Sequence, residues 1–492
     1  MLLRDLLKSL DPVRTAGDHA VNVSGLSYDS RSVRQGEVFV ATKGLRADGH
    51  DFTADALARG ACAIVAERPV DVPDGFPLAI VANSRLALAA MAAAFYGYPS
   101  RRLKLFGVTG TNGKTTTAYL IESILRESCD PTGVIGTLGT RIGDEIIETE
   151  RTTPESLDLQ SILATMVGRG VRAVAMEVSS HGLALHRTEF CEFDCGVFTN
   201  LTQDHLDFHP DLEDYLAAKM RLFTDYPATS RKGFTAAINA DDPYGARIAA
   251  ACKGRVFTYG VESQADVVAR NVRITASSCE FWLDSEMGSG GIFVPLGGMF
   301  NLHNALAAAA AALSQGISIG EIILGIGNAQ SVPGRFESVD CGQDFGVIVD
   351  YAHTPDGLEN VLRSARKLTR GKLIAVFGCG GDRDRGKRPI MGAIGSREAD
   401  LCVVTSDNPR TEDPDAIVRE IVAGIENPSR ARIVVEPDRR RAIEEAVSMA
   451  GEGDVVVIAG KGHETEQVFA DRTIPFDDRV VVREALKERM RA

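Results

Sequence analysis

The sequence predicts an α/β protein of three domains built on largely parallel sheets. Three observations carry that expectation. Residues 103–117, LKLFGVTGTNGKTTT, join a short apolar strand to a helix through a loop of Gly, Thr and Asn. From there onward, apolar runs of strand length alternate with helical stretches, the pattern of parallel sheets with crossover helices. Two stretches bearing Gly and Pro, GYPSR (97–101) and SVPGRFE (331–337), interrupt the alternation as linkers do. The expected domains are residues 1–100, 101–332 and 333–492: a small α/β domain, a P-loop-type ATPase domain with a mostly parallel sheet, and a Rossmann-like α/β domain. At about 150 residues per domain, 492 residues agree with three.

The opening MLLRDLLKSL is interrupted by Arg4, Asp5 and Lys8, which predicts a short amphipathic helix rather than a signal peptide. Short strands and polar turns follow, with a helix at FTADALARG and a strand at CAIVAE. The polar segments YDSR (28–31) and KGLRADGHDF (43–52) sit where apolar runs stop, and by residues alone they read as solvated turns.

Leu103–Val108 is then the expected strand, and the helix begins at Lys114 with KTTTAYLIESILRES. A glycine turn between them lets backbone N–H groups approach a polyphosphate, and the helix N-terminus adds its positive dipole end. Lys114 supplies a point charge and the hydroxyl of Thr115 reaches a Mg²⁺ in such loops. The strict Walker spacing needs Gly where Val108 stands, so this is a shorter GxxGKT variant. An ordinary glycine-containing βα turn is the alternative.

Farther on, Thr152 and Thr153 precede Pro154, a helix start signal. Val171–Val178 reads as a buried strand with Glu177 at its C-terminal end. A carboxylate inside an apolar run must be paired or bound to a cation, which makes Glu177 a metal-ligand candidate. Ser179, Ser180 and His181 crowd the same strand end, where ligands gather in open α/β sheets. His205, Asp207 and His209 form either a metal cluster or a polar loop, with His209 read as structural. Lys219, flanked by Ala217, Ala218 and Met220, reads as a snorkelling surface lysine. Asn239 and Asp241 end a further strand, and Asn301, His303 and Asn304 open an Ala-rich helix.

After the second linker, four strands end in polar loops: FGVIVD in YAHTPDG, KLIAVFG in CGGDRDRGKRP, LCVVT in SDNPRTEDP, and DVVVIAG in KGHE. These loops share the sheet edge where a crevice forms, and Arg383, Arg410 and Glu464 there suit a small zwitterion.

Composition narrows the class. Hydrophobic content of 44% and charge of 25% are those of an ordinary globular chain. A net charge of −13 argues against a nucleic-acid surface. Nine scattered cysteines give no metal or disulfide spacing and point to a reducing, cytoplasmic interior. The longest apolar stretches, 86–96 and 305–313, fall well below the ~18 residues that cross a bilayer.

The ordered set GTNGKTTT, MEVSSHGL, NLTQDHLDFH, AAKMRLF, FNLHN, PGRFE, VDYAHTPDGL, GCGGDRDRGKRP, DNPR and GKGHE closely resembles the Mur ligase family over essentially the whole chain. The resemblance implies an ATP-dependent ligase adding meso-2,6-diaminopimelate to UDP-N-acetylmuramoyl-L-alanyl-D-glutamate through an acyl phosphate. It implies ATP as co-substrate and magnesium as cofactor; the expected partners are these small-molecule substrates, with no nucleic acid and no membrane span, and a monomer is expected. The phosphate loop Gly110, Thr111, Asn112, Gly113, Lys114, Thr115 and Thr116 would hold ATP, with Asn301 and Asn304 near the base and Arg335 and Asp350 at the hinge. Thr115, Glu177, His205 and a carbamylated Lys219 would hold metal, with Lys114, His205 and Lys219 catalytic. Ser30, Leu45, Arg46, Ala47, Thr152, Thr153, Ser179 and Arg187 would hold the UDP-muramoyl-dipeptide. Arg383, Asp407, Asn408, Pro409, Arg410, Gly460 and Glu464 would form the diaminopimelate pocket. One departure stands two positions before Arg187, where relatives often have Gln and this chain has Leu185.

The rival readings are the same ligation with L-lysine, a folylpolyglutamate-synthase-like ligase, and a P-loop ATPase coupling hydrolysis to motion or binding.

Overall fold

The computed structural model describes residues 1–44, 47–149, 151–205, 208–275, 277–330, 332–425 and 431–491. Leu45, Arg46 and Asp207 lie outside the described residues.

Three sheets follow one another along the chain. The first has five strands, in the order Arg14–Ala16, Leu78–Ile80, Ala63–Ala66, Glu37–Val40 and Gly25–Ser27, all parallel except the first. The opening helix Leu3–Leu7 buries Leu3, Leu6 and Leu7 against it, as its apolar spacing requires.

The central sheet has eleven strands. Its middle is parallel, with Lys104–Thr109 lying between Ala173–Glu177 and Cys195–Phe198. Helices cover both faces. The Ala-rich helix Met299–Ser314 and the helix Lys114–Ser128 pack on one face, and Ser156–Gly168 and Leu212–Thr229 on the other. Ala305–Ala312 are essentially fully buried, because methyl side chains let the helix lie close to the sheet and its neighbour. Both ends of the sheet turn antiparallel: Val267–Ile274, Cys279–Ser285 and Gly288–Val294 form a meander at one end, and Thr132–Gly136, Gly139–Ile142 and Glu145–Ile147 one at the other.

The third sheet has six strands, ordered Glu337–Ser338, Gly346–Asp350, Val455–Ala459, Leu373–Phe377, Leu401–Val404 and Arg432–Val435. All but the first pair are parallel, and helices again cover both faces. Loops at strand C-termini of the middle sheet and the YAHTPDG loop after Gly346–Asp350 of the last sheet line one shared cavity. Among the described residues, no helix is long and apolar enough to cross a membrane.

Candidate active site

The phosphate loop connects the strand Lys104–Thr109 to the helix Lys114–Ser128. Gly113 has φ +84°, and a Cβ there would stand 2.3 Å from Asn304 Oδ1, so glycine is needed on both counts. Lys114 curls back, its Nζ donating to the carbonyls of Gly110 (2.9 Å) and Thr111 (2.7 Å). Burial holds its pKa below the ordinary lysine range, while Glu177 and Asp204 pull it up. The loop is braced by its neighbours: Asn112 N donates to Asn200 Oδ1 (2.9 Å), and the Thr199 hydroxyl donates to Asn112 O (2.7 Å).

Lys219 is not a surface lysine. It is 1% exposed, and its Nζ donates to Gly110 O at 2.8 Å while lying 4.3 Å from the centre of the Tyr215 ring. The helix Leu212–Thr229 turns this residue inward under the phosphate loop. Burial, reinforced by the nearby Lys114 charge, drives its pKa well below the usual value, with Asp204 opposing.

Glu177 is 1% exposed at the end of its strand, with Oε1 accepting from Thr137 N (2.8 Å) and Oε2 from the Thr137 hydroxyl (3.2 Å). Thr115, Glu177, His205 and Lys219 all line one cavity of about 640 Å³. Burial pushes the His205 imidazole down to about 4, against the pull of Asp204, so it is neutral at physiological pH. His209 is buried and pairs with Asp214 at 2.7 Å, off the cavity, as a structural histidine does. Among the described residues, no three His, Cys, Asp or Glu side chains converge as a self-sufficient metal site. The donors present, a buried carboxylate and a threonine hydroxyl beside a phosphate loop, are hard oxygens and fit magnesium, which takes one or two carboxylates and completes its shell with phosphates and water.

The opposite wall comes from the C-terminal side. Asp350 accepts from the backbone N–H groups of Phe336 (2.7 Å) and Ala352 (2.8 Å), and burial raises its pKa while Arg335 opposes. Arg335 lies over the Tyr351 ring (4.5 Å) and donates to the Thr115 hydroxyl at 3.2 Å. Asn304 also lines the cavity, and a chain of hydrogen bonds fixes it: Thr117 donates to Asn304 Oδ1, Asn304 to Asn301, and Asn301 to Gly297 O.

Thr152 and Ser179 reach the same cavity, and Thr153 stands behind them. Thr153 Oγ1 lies 3.0 Å from both Glu177 O and Ser179 Oγ, while Ser179 caps the helix Ser180–Ala184. Arg187 donates to Thr153 O (3.2 Å) and pairs with Glu155 at 3.0 Å. Ser30 and Ala47 stand apart, in the N-terminal domain, which joins the central one through Tyr28–Asp158 (2.7 Å) and Arg85–Glu155 (3.2 Å).

The loops expected to take the amino acid lie outside the large cavity but together. Asn408 Nδ2 donates to Glu464 Oε2 at 2.7 Å, and Arg410 Nη1 to Gly381 O at 2.8 Å, beside Arg383. Gly460 has φ +123°, a conformation that L side chains rarely adopt, and a Cβ there would stand 2.5 Å from Asp407 Oδ2. Behind both loops, Arg439 grips Asp478 with two bonds and donates to the carbonyls of Ser406 and Ala459, the residues just before Asp407 and Gly460. Pro409 follows Asn408, whose carbonyl accepts from Gly381 N at 2.9 Å, and its own carbonyl accepts from Glu412 N at 3.1 Å. Sequence reasoning missed Thr137, Asp204 and Asp356; only Asp204 carried a signal, as the residue beside His205 in the TQDH run.

Three family models match in order: "Mur ligase family, catalytic domain" over residues 22–96, "Mur ligase middle domain" over 108–312, and "Mur ligase, glutamate ligase domain" over 334–462. The chain is 45% identical over 491 residues to the UDP-N-acetylmuramoyl-L-alanyl-D-glutamate–2,6-diaminopimelate ligase of Syntrophomonas wolfei, covering 100% of both. It is 48% identical over 470 residues to the ligase of the same name from Geobacillus kaustophilus, covering 95% of this chain and 96% of that one. A solved structure of a ligase of that name superposes with a TM-score of 0.70 at 33% identity, covering both chains fully. Matching models along the length and relatives at this identity show that the chain belongs to the Mur ligase family.

Proposed function

We propose that the chain is an ATP-dependent amide ligase that adds meso-2,6-diaminopimelate to UDP-N-acetylmuramoyl-L-alanyl-D-glutamate in cytoplasmic peptidoglycan precursor synthesis. One observation carries the reading: the phosphate loop and Glu177 face Arg335 and Asp350 across one cavity, and the loop bearing Glu464 meets the Tyr351 wall of that cavity through His463, ring centres 4.9 Å apart. Domains 1–100, 101–332 and 333–492 divide the work, taking uridine nucleotide, ATP and amino acid respectively.

A carboxylate is a poor electrophile, and joining it to an amine in water is uphill. Attack by the D-Glu γ-carboxylate on the γ-phosphate of ATP gives an acyl phosphate and releases ADP; the amine then attacks the acyl carbon, loses a proton and displaces phosphate. Two anions meet in the first step, so cations must cluster. Lys114 brings its ammonium to the phosphates, and Arg335 adds a second positive charge from the facing wall. Magnesium bound by Thr115, Glu177 and His205 would supply further neutralisation of the developing charge. Lys219, held toward its neutral amine by burial, is suited to add CO₂ at Nζ, losing a proton and becoming an anionic carbamate. Thr152, Thr153, Ser179 and Arg187, with Ser30 and the loop through Ala47, orient the muramoyl-dipeptide. Arg410 favours diaminopimelate over L-lysine, since its two-pronged guanidinium matches the second carboxylate that lysine lacks.

The assay supplies ATP, the UDP-muramoyl-dipeptide and either amino acid, together and singly, following phosphate and product mass. Phosphate release is expected only with all three substrates and with diaminopimelate. Equal release with lysine overturns the specificity, release without any amino acid favours an ATPase, and activity without the UDP-sugar favours a folylpolyglutamate-type ligase.

A further inference from the structure

The GKGHE loop contributes Gly460 and Glu464 to the amino-acid reading, yet its lysine is more tightly held than either. Lys461 is fully buried. Its ammonium donates to Asn408 Oδ1 (3.1 Å), Glu464 Oε2 (3.0 Å) and the carbonyl of Glu466 (2.6 Å). An ammonium has three hydrogens, and here each meets an acceptor from this one pocket. Asn408 is fixed at both ends as a result. Its Oδ1 also accepts from Val468 N (3.0 Å), while Nδ2 donates to Glu464 Oε2 (2.7 Å). Turning the amide over would set its NH₂ against an ammonium and a backbone N–H, so one orientation satisfies every partner. Glu464 is engaged on one side only. Its side chain is 31% exposed, and among the described residues no hydrogen bond reaches Oε1. Asn408 Nδ2 likewise keeps a second hydrogen.

We propose that Lys461 is a positioning residue for the amino-acid substrate. Enclosed on all sides, it does not touch the substrate. It holds Glu464 so that Oε1 faces the incoming ammonium, and holds Asn408 so that Nδ2 is turned to a carboxylate. It also pairs with the Glu464 carboxylate at 3.0 Å, which holds that side chain in place. The inference rests on the reading of these loops as the amino-acid pocket.

The test is steady-state kinetics of the full chain with Lys461→Met, Lys461→Gln and, in parallel, Glu464→Gln. Lys461→Met is expected to raise the KM for meso-diaminopimelate about tenfold or more, the loss of roughly one charge-assisted hydrogen bond. KM for ATP and for the UDP-muramoyl-dipeptide should stay within about twofold, a split that general destabilisation would not produce. Lys461→Gln, which keeps a donor but no charge, should fall between wild type and Met, and it decides the matter if the Met variant does not fold. An amino-acid KM unchanged in the Lys461 variants but raised by Glu464→Gln overturns the positioning role and leaves the pocket reading standing. No change in any of the three overturns both, and an equal rise in all three KM values reduces Lys461 to a structural residue and overturns the proposal.

Discussion

Asn112, in the phosphate loop, donates its side-chain amide to the carboxylate of Asp356 at 2.8 Å, across the junction between the central and C-terminal domains. The Thr202 hydroxyl donates to the same oxygen at 3.0 Å. Asp356 lies in the first turn of the helix Pro355–Leu368, where a carboxylate is favoured by the helix dipole, and burial raises its pKa. Two loops bordering the phosphate site therefore share one acceptor from the facing domain. Asp356→Ala should remove about 1.5–3 kcal/mol from this contact. Small-angle scattering of the nucleotide-free protein should then report a larger radius of gyration than wild type; an unchanged radius would show that the junction is held elsewhere.

Lys219→Ala should lower kcat by at least about 10²-fold, as removal of a buried electrostatic group does. Small carboxylates added to the variant should restore part of the rate by standing in for the carbamate. Wild-type activity in the variant would remove Lys219 from the chemistry.

Arg410→Ala should narrow the preference for diaminopimelate over lysine. A site built around a buried donor rejects the analogue lacking its partner by roughly 10⁴. Competition between the two amino acids, read as product masses, measures the ratio in both proteins, and an unaltered ratio assigns the selection to another residue.

Glu412 gives a pH signature. Two bonds from the buried Arg388 (2.9 and 2.8 Å), with a backbone N–H from Asp382, hold its carboxyl down to about 2. A depressed carboxyl contributes stability that is fully present above the unfolded value near 4.5 and is lost as pH falls toward 2. The urea midpoint should therefore drop between pH 5 and pH 3, and Glu412→Gln should flatten that part of the profile.

Arg439 and Asp478 are both fully buried, so breaking the pair strands a charge. Asp478→Ala should lower stability by about 3–5 kcal/mol. Equilibrium unfolding in denaturant checks the loss, and a change within about 0.5 kcal/mol would mean that water replaces the missing carboxylate.

The sequence makes the phosphate loop plain, because a strand, a glycine turn and a Lys-Thr helix start are local features separated by single residues. Glu177 is legible for a related reason: a carboxylate in an apolar run demands a partner wherever the run folds. Lys219 is not legible from its neighbours. Ala217, Ala218 and Met220 suit a surface helix, and its burial arises from Gly110, which lies 109 positions away in the chain. Asp356 is hidden in the same way, 244 positions from Asn112. The antiparallel ends of the central sheet also escape a reading built on strand–helix alternation, since hairpins there replace the crossover helices. Only the ordered family motifs connect these distant positions in advance, and even they say nothing of Asn301 and Asn304 acting as a brace.

Lys114 and Lys219 both donate to the carbonyl of Gly110, so two amino groups crowd one oxygen in the floor of the cavity. Burial and the Lys114 charge together oppose protonation of Lys219, and the fold carries that cost until an anion arrives. Entry of a triphosphate, or conversion of one amine to a carbamate, relieves it. The protein is thus least resistant to heat when empty, and its melting temperature becomes a gauge of how far the pocket has been filled.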